Sequence, residues 1–153
     1  MSEPEAVMVD IGRGIELNQR GEREAARELF LEVWHQIGGE DGDPFHVCAL
    51  AHSMADVQDD VNDELLWDQR ALAAADLVTD ARAARAGVTS PVAAFYPSLH
   101  LNLGECYRKL GDLDCAREHL QHGQAAMGTL ADDGYGRMIK RGFERLAEQL
   151  SSA

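Results

Sequence analysis

The sequence predicts an all-α fold, an α-α superhelix of three antiparallel helix pairs closed by a C-terminal helix. Apolar residues recur at steps of three and four along most of the 153-residue chain, and no segment alternates as a half-buried strand would. Glycine and proline punctuate these runs at helix-length intervals, and one helix-turn-helix stretch recurs 90 positions later. With 45% hydrophobic and 27% charged residues, the composition suits one core-forming domain spanning 1–153.

The elements follow in order. Ser2 with Glu5 forms a capping box and Pro4 falls in the first turn, so a helix opens here and carries Val7, Ile11, Gly14 and Ile15 to a stop at Gly21. Glu22 begins a second run with Ala26, Phe30, Val33 and Ile37 on one face, ended by Gly38-Gly39. Asp43-Pro44 reads as an N-cap and first helical residue for a third helix through Phe45, Cys48, Ala51 and Ala55. After the acidic turn at 58–63, Glu64 to Arg85 reads as one unusually long helix, with Trp67, Ala71, Ala74 and Val78 on its stripe. Gly87 to Pro97, with its Thr89-Ser90-Pro91 turn signal, interrupts the helices. Helix resumes near Pro97 and runs to Leu110, turns at Gly111-Asp112 and continues to about Met127. A last amphipathic helix covers about 134–151, with Tyr135, Met138, Ile139, Phe143, Leu146 and Leu150 inward and Arg137, Arg141 and Arg145 outward.

The repeat aligns GEREAARELF (Gly21 to Phe30) with GDLDCAREHL (Gly111 to Leu120), and Gly14 with Gly104. In the second copy, Leu103, Gly104, Tyr107, Gly111 and Ala116 stand at the spacing of the tetratricopeptide signature, and this part of the chain resembles that family. His100, Leu120 and Gly128 depart from the pattern, as do Arg13 and Leu17 in the first copy. The repeat units are read as 7–40, 45–86 and 97–130, the middle one from ELLWDQRALAAAD. The resemblance implies an α-solenoid in which small residues at Gly104 and Ala116 let the paired helices approach.

It also implies a concave groove lined by the first helix of each pair: Ile11, Ile15 and Asn18, then His46, Ala49, Ser53 and Asp56, then Leu101, Glu105 and Arg108. The expected occupant is a protein or peptide segment, extended or helical, with no cofactor and no catalysis. Some family members clamp a peptide carboxylate early in the groove with Lys and Asn. Ile11 and Ile15 occupy those places here, so a carboxylate would dock near Arg108. A homodimeric scaffold, with the groove filled by a second copy, is the alternative within the same class.

The formal net charge of −13 opposes nucleic acid and anionic membranes, and only the last twenty residues are basic. Three cysteines without metal spacing, an acidic N-terminus and no long apolar run lead to the expectation of a cytoplasmic protein with reduced thiols. A rival from another class is a ligand sensor or metal-dependent enzyme built on His52, Asp56 and His100, with His46 nearby; the plainer reading makes His52 a core histidine bonded to Asp56. His119 and His122, three apart, read as a surface pair able to take up stray metal. The run Asp56, Asp59, Asp60, Asp63 and Glu64 lacks the glycine of a calcium loop and reads as a charged helix start.

Overall fold

The structure, a computed structural model, describes residues 2–88 and 91–152; Thr89 and Ser90 of the expected turn signal lie outside the described residues. Eight α-helices and no strand occur among the described residues. They gather into two compact units, residues 1–77 and 78–153.

The first unit holds α1 (Glu3–Gln19), α2 (Arg23–Ile37), α3 (Pro44–Ala55) and α4 (Val61–Ala75). The expected capping box forms: the Glu5 amide donates to Ser2 Oγ at 3.3 Å and the Ser2 amide to Glu5 Oε2 at 3.0 Å. Helices α1 and α2 pair through Gly14, where an added Cβ would overlap the ring of the buried Phe30. Asp43 caps α3 by accepting from the Phe45 amide at 3.0 Å, and α3 then pairs with α4.

The acidic turn between α3 and α4 is structural. Asp59 binds Arg23 at 3.1 Å and Arg27 at 3.0 Å, and Arg27 also donates to the Val57 carbonyl. Asp60 caps α4 by accepting from the Asn62 amide at 2.7 Å. Arginines of α2 thus hold the end of α3 and the start of α4 against the first helix pair.

The long helix expected over Glu64 to Arg85 is two. Helix α4 stops at Ala75, and α5 (Asp80–Arg85) starts afresh behind Thr79. The Thr79 hydroxyl accepts from the Arg82 amide at 3.1 Å, so a side-chain cap captures backbone that alanine-rich composition would have kept helical.

The second unit contains α5, a short 3-10 turn at Val92–Phe95, α6 (Tyr96–Lys109), α7 (Leu113–Ala126) and α8 (Gly134–Ser151). The Val92 amide donates to Asp80 Oδ1 at 2.8 Å, tying the 3-10 turn to α5. Helices α6 and α7 are antiparallel partners, and α8 packs on both. Asp133 caps α8 by accepting from the Gly136 amide at 2.8 Å. Ile139, Phe143, Leu146 and Leu150 of α8 are buried, while Arg137, Arg141 and Arg145 are exposed, as the amphipathic pattern requires. Tyr135 and Met138, expected on the inward face, are 48% and 52% exposed. The buried stripe runs through Gly136, Ile139, Phe143, Leu146 and Leu150, and Tyr135 and Met138 each stand one residue before a stripe position, about 100° around the helix from it.

The two copies of the repeat end their first helices identically. Gly21 and Gly111 have φ of 85° and 82°. The next amide reaches back five residues in each case, Glu22 to the Leu17 carbonyl and Asp112 to the Tyr107 carbonyl, both at 2.9 Å. Gly104, however, makes room for more than its own pair. An added Cβ would lie 2.7 Å from Leu146 Cδ2 on α8 and 3.5 Å from the Ala116 carbonyl oxygen on α7. The glycine therefore seats the closing helix first and α7 second.

Candidate functional sites

Each unit places chemistry-bearing side chains together. In the first unit, Ile11 is 2% exposed, and His46 and Ser53 are also buried. Ser53 donates its hydroxyl to the Ala49 carbonyl at 2.9 Å, one turn back on α3. Burial withdraws these three from the surface nominated for a partner. Ile15 and Asp56 are exposed, and Asn18 and Ala49 are half-buried.

A pocket of about 620 Å³ opens between the start of α3 and the second half of α4. Pro44, Val47, Ala73, Ala74 and Leu77 supply an apolar lining; Glu40, Gln69 and Arg70 add polar groups. Leu77 is 69% exposed. Arg70 is held on both sides: its Nε donates to Glu40 Oε1 at 2.8 Å, and its guanidinium carbon lies 4.5 Å from the Trp67 ring centroid. Trp34 meets Trp67 edge-on at 4.9 Å, so the arginine rests on a rigid aromatic pair. No periodicity marks this pocket, because it depends on where α4 crosses α3.

His52 on α3 faces Asp68 on α4, with Nδ1 3.9 Å from Oδ1 and the aspartate wholly buried. The expected carboxylate neighbour, Asp56, is joined by one that the spacing within α3 could not reveal. Burial holds His52 below the ordinary imidazole range, and the Asp56 charge opposes that shift. The Cys48 thiol, buried on the same helix, is pushed up to about 12 by loss of hydration, which leaves it a protonated core group.

In the second unit, Leu101 packs with Tyr107, Leu113 and Leu120 against the buried Ala116, Leu146 and Leu150. It is thus committed partly to the closing helix: a Cβ at Gly142 on α8 would lie 2.5 Å from Leu101 Cδ2. Glu105 and Arg108 are half-buried. The Arg108 Nε is buried without a hydrogen-bond partner among the described residues.

His100 belongs to this unit, where it meets His119 and His122, whereas His52 and Asp56 of the sequence-based rival belong to the first unit. His100 Nδ1 lies 3.0 Å from His119 Nδ1, and one ring nitrogen from each of the three histidines falls within 4.8 Å of the others. Tyr107 stacks on His119 with centroids 5.4 Å apart and planes 6° from parallel, and Tyr96 stacks on His100 at 6.1 Å. Burial, and next the charge of His122, hold His119 below the ordinary imidazole range, with Glu118 opposing. The i, i+3 spacing of His119 and His122 was the available sequence signal. The third member comes from the opposite helix, and only pairing supplies it.

The geometry defines an all-helical protein made of paired antiparallel helices; no helix among the described residues is long and apolar enough to cross a membrane. No family model, curated protein or solved structure matches the chain.

Proposed function

We propose that the chain is a helical-repeat interaction module of tetratricopeptide type that binds a protein or peptide segment. Support for the repeat reading comes from the matched glycine turns after α1 and α6 and from three antiparallel helix pairs, α1 with α2, α3 with α4 and α6 with α7. Such pairs present side chains on rigid rods, an arrangement suited to reading an extended or helical segment.

The observation that carries the binding reading is the α3/α4 pocket. An apolar lining with an exposed leucine and a pre-oriented guanidinium in its wall fits one apolar anchor residue of a partner next to a carbonyl; Glu40 and Asp41 in the same lining disfavour a carboxylate. Ile15, Asn18, Ala49 and Asp56 remain the accessible part of the first-helix surface in this unit.

A displayed peptide library selected on the purified protein tests this. Selected peptides are expected to share an apolar anchor and to perturb backbone amide resonances around Val47, Ala74 and Leu77. Leu77→Asp should weaken them at least about tenfold, roughly 1.4 kcal/mol. Peptides that bind Leu77→Asp as tightly as the wild type, or that perturb amides elsewhere, would sink the pocket as the site.

A further inference from the structure

We propose that His100, His119 and His122 form a site for one divalent transition-metal ion of the zinc, nickel or cobalt class, with α6 giving one ligand and α7 two. Three imidazole nitrogens around a tetrahedral ion at about 2.0–2.1 Å would stand about 3.3 Å apart. The His100 and His119 donors already stand 3.0 Å apart, and all three fall within 4.8 Å. His122 is exposed, so its side chain can close the remaining gap by a rotamer adjustment without disturbing the core.

The backbone is built to bring these rings together. An added Cβ at Gly123 would lie 3.2 Å from His100 Cβ, and one at Gly104 would lie 3.7 Å from His119 Cβ. Each glycine first makes room for α8, Gly123 for the Phe143 ring and Gly104 for Leu146, and the two histidine stems lie beside these same small residues on the facing helix. The flanking Tyr96 and Tyr107 rings limit how His100 and His119 can turn, so two of the three ligands are preoriented.

The fold does not require this cluster. The internal copy forms its own helix pair with Asp10, Leu29 and Glu32 at the corresponding positions, 90 residues earlier. Histidine at all three places is thus peculiar to the second pair. Nitrogen-only donors of intermediate softness favour zinc, nickel, cobalt or copper over magnesium or calcium, which take oxygen. Three protein ligands leave a fourth position for water or for a donor from a bound partner.

The test uses tag-free, chelator-treated protein titrated with zinc by calorimetry and with cobalt by visible absorption. The expected result is one ion per chain with a tetrahedral cobalt spectrum. His119→Ala and His122→Ala should each weaken binding about 100-fold or more, beyond the roughly 10- to 100-fold typical of losing a supporting contact. His35→Ala, on the exposed face of α2, should bind as the wild type does. Circular dichroism checks each fold, and the exposed His122 provides a variant that leaves the helix pair intact. Stoichiometry well below one, or unchanged affinity in His122→Ala and His119→Ala, overturns the proposal. Peptide binding through the Leu77 pocket is measured separately with metal absent, so either reading can fail without the other.

Discussion

Two glycines of α1, two residues apart, should respond to alanine with opposite signs. At Gly12 a Cβ would meet nothing within 4 Å, whereas at Gly14 it would run into three ring atoms of Phe30. Alanine replaces glycine in a helix interior with a gain of about 0.8–1 kcal/mol, so Gly12→Ala should stabilise the first unit by up to that amount. Gly14→Ala receives the same gain but must displace an aromatic ring that is 1% exposed and cannot bend away. Overpacking of this kind costs about 3 kcal/mol at the upper end of its usual range, leaving a net loss of about 2 kcal/mol. The matching position in the internal copy carries Leu120 instead of Phe30, so Phe30→Leu in the Gly14→Ala background should recover part of the loss. Urea unfolding followed by tryptophan fluorescence is the assay, because both tryptophans, Trp34 and Trp67, belong to this unit. If Gly14→Ala stabilises the protein, or if both substitutions shift the midpoint the same way, the close approach of α1 and α2 at Phe30 is refuted.

Two further outcomes are expected. His52 and His119 have folded-state values below their unfolded ones, so the unfolded chain binds the proton first as pH falls. Stability from each is then fully present above about pH 6.5 and is lost as pH drops through that value toward the lower folded one. Denaturant midpoints measured between pH 8 and pH 5 should fall, and His52→Gln should flatten the tryptophan-monitored part; a midpoint unchanged across the range would contradict the burial argument. Asp133→Ala removes the carboxylate that caps α8 and should cost about 1 kcal/mol, read as a lower thermal midpoint by circular dichroism. An unchanged midpoint would mean that the closing helix does not depend on that cap.

Helix starts were legible because capping is local. Ser2 with Glu5 and Asp43 before Pro44 each act within three residues and cap as their spacing suggested, while Asp60, read as part of the acidic turn before a helix from Glu64, caps a helix that starts three residues earlier, at Val61. The break at Thr79 was missed although it is equally local, because the alanine-rich stretch around it outweighed one threonine in any window wide enough to show periodicity. Burial was legible for the stripes of α2 and α8. It was not legible for His46 and Ser53, which no apolar periodicity marks; Ile11 stands on the apolar stripe of Val7 and Gly14 and is buried with them, so family register placed it in the groove against its own local pattern.

What the sequence determined by itself is the helical class, most element boundaries and the twofold recurrence of one helix pair, since those depend on contacts three to five residues apart. Tertiary packing alone decided that Asp68 joins His52, that α3 and α4 enclose an apolar pocket beside Arg70, and that His100 meets His119 and His122. Each of those groupings draws on two helices, and which residues meet depends on where the rods cross. Glycines set two of the approaches in this protein: Gly14 leaves the space that Phe30 of α2 fills, and Gly104 the space that Leu146 of α8 fills.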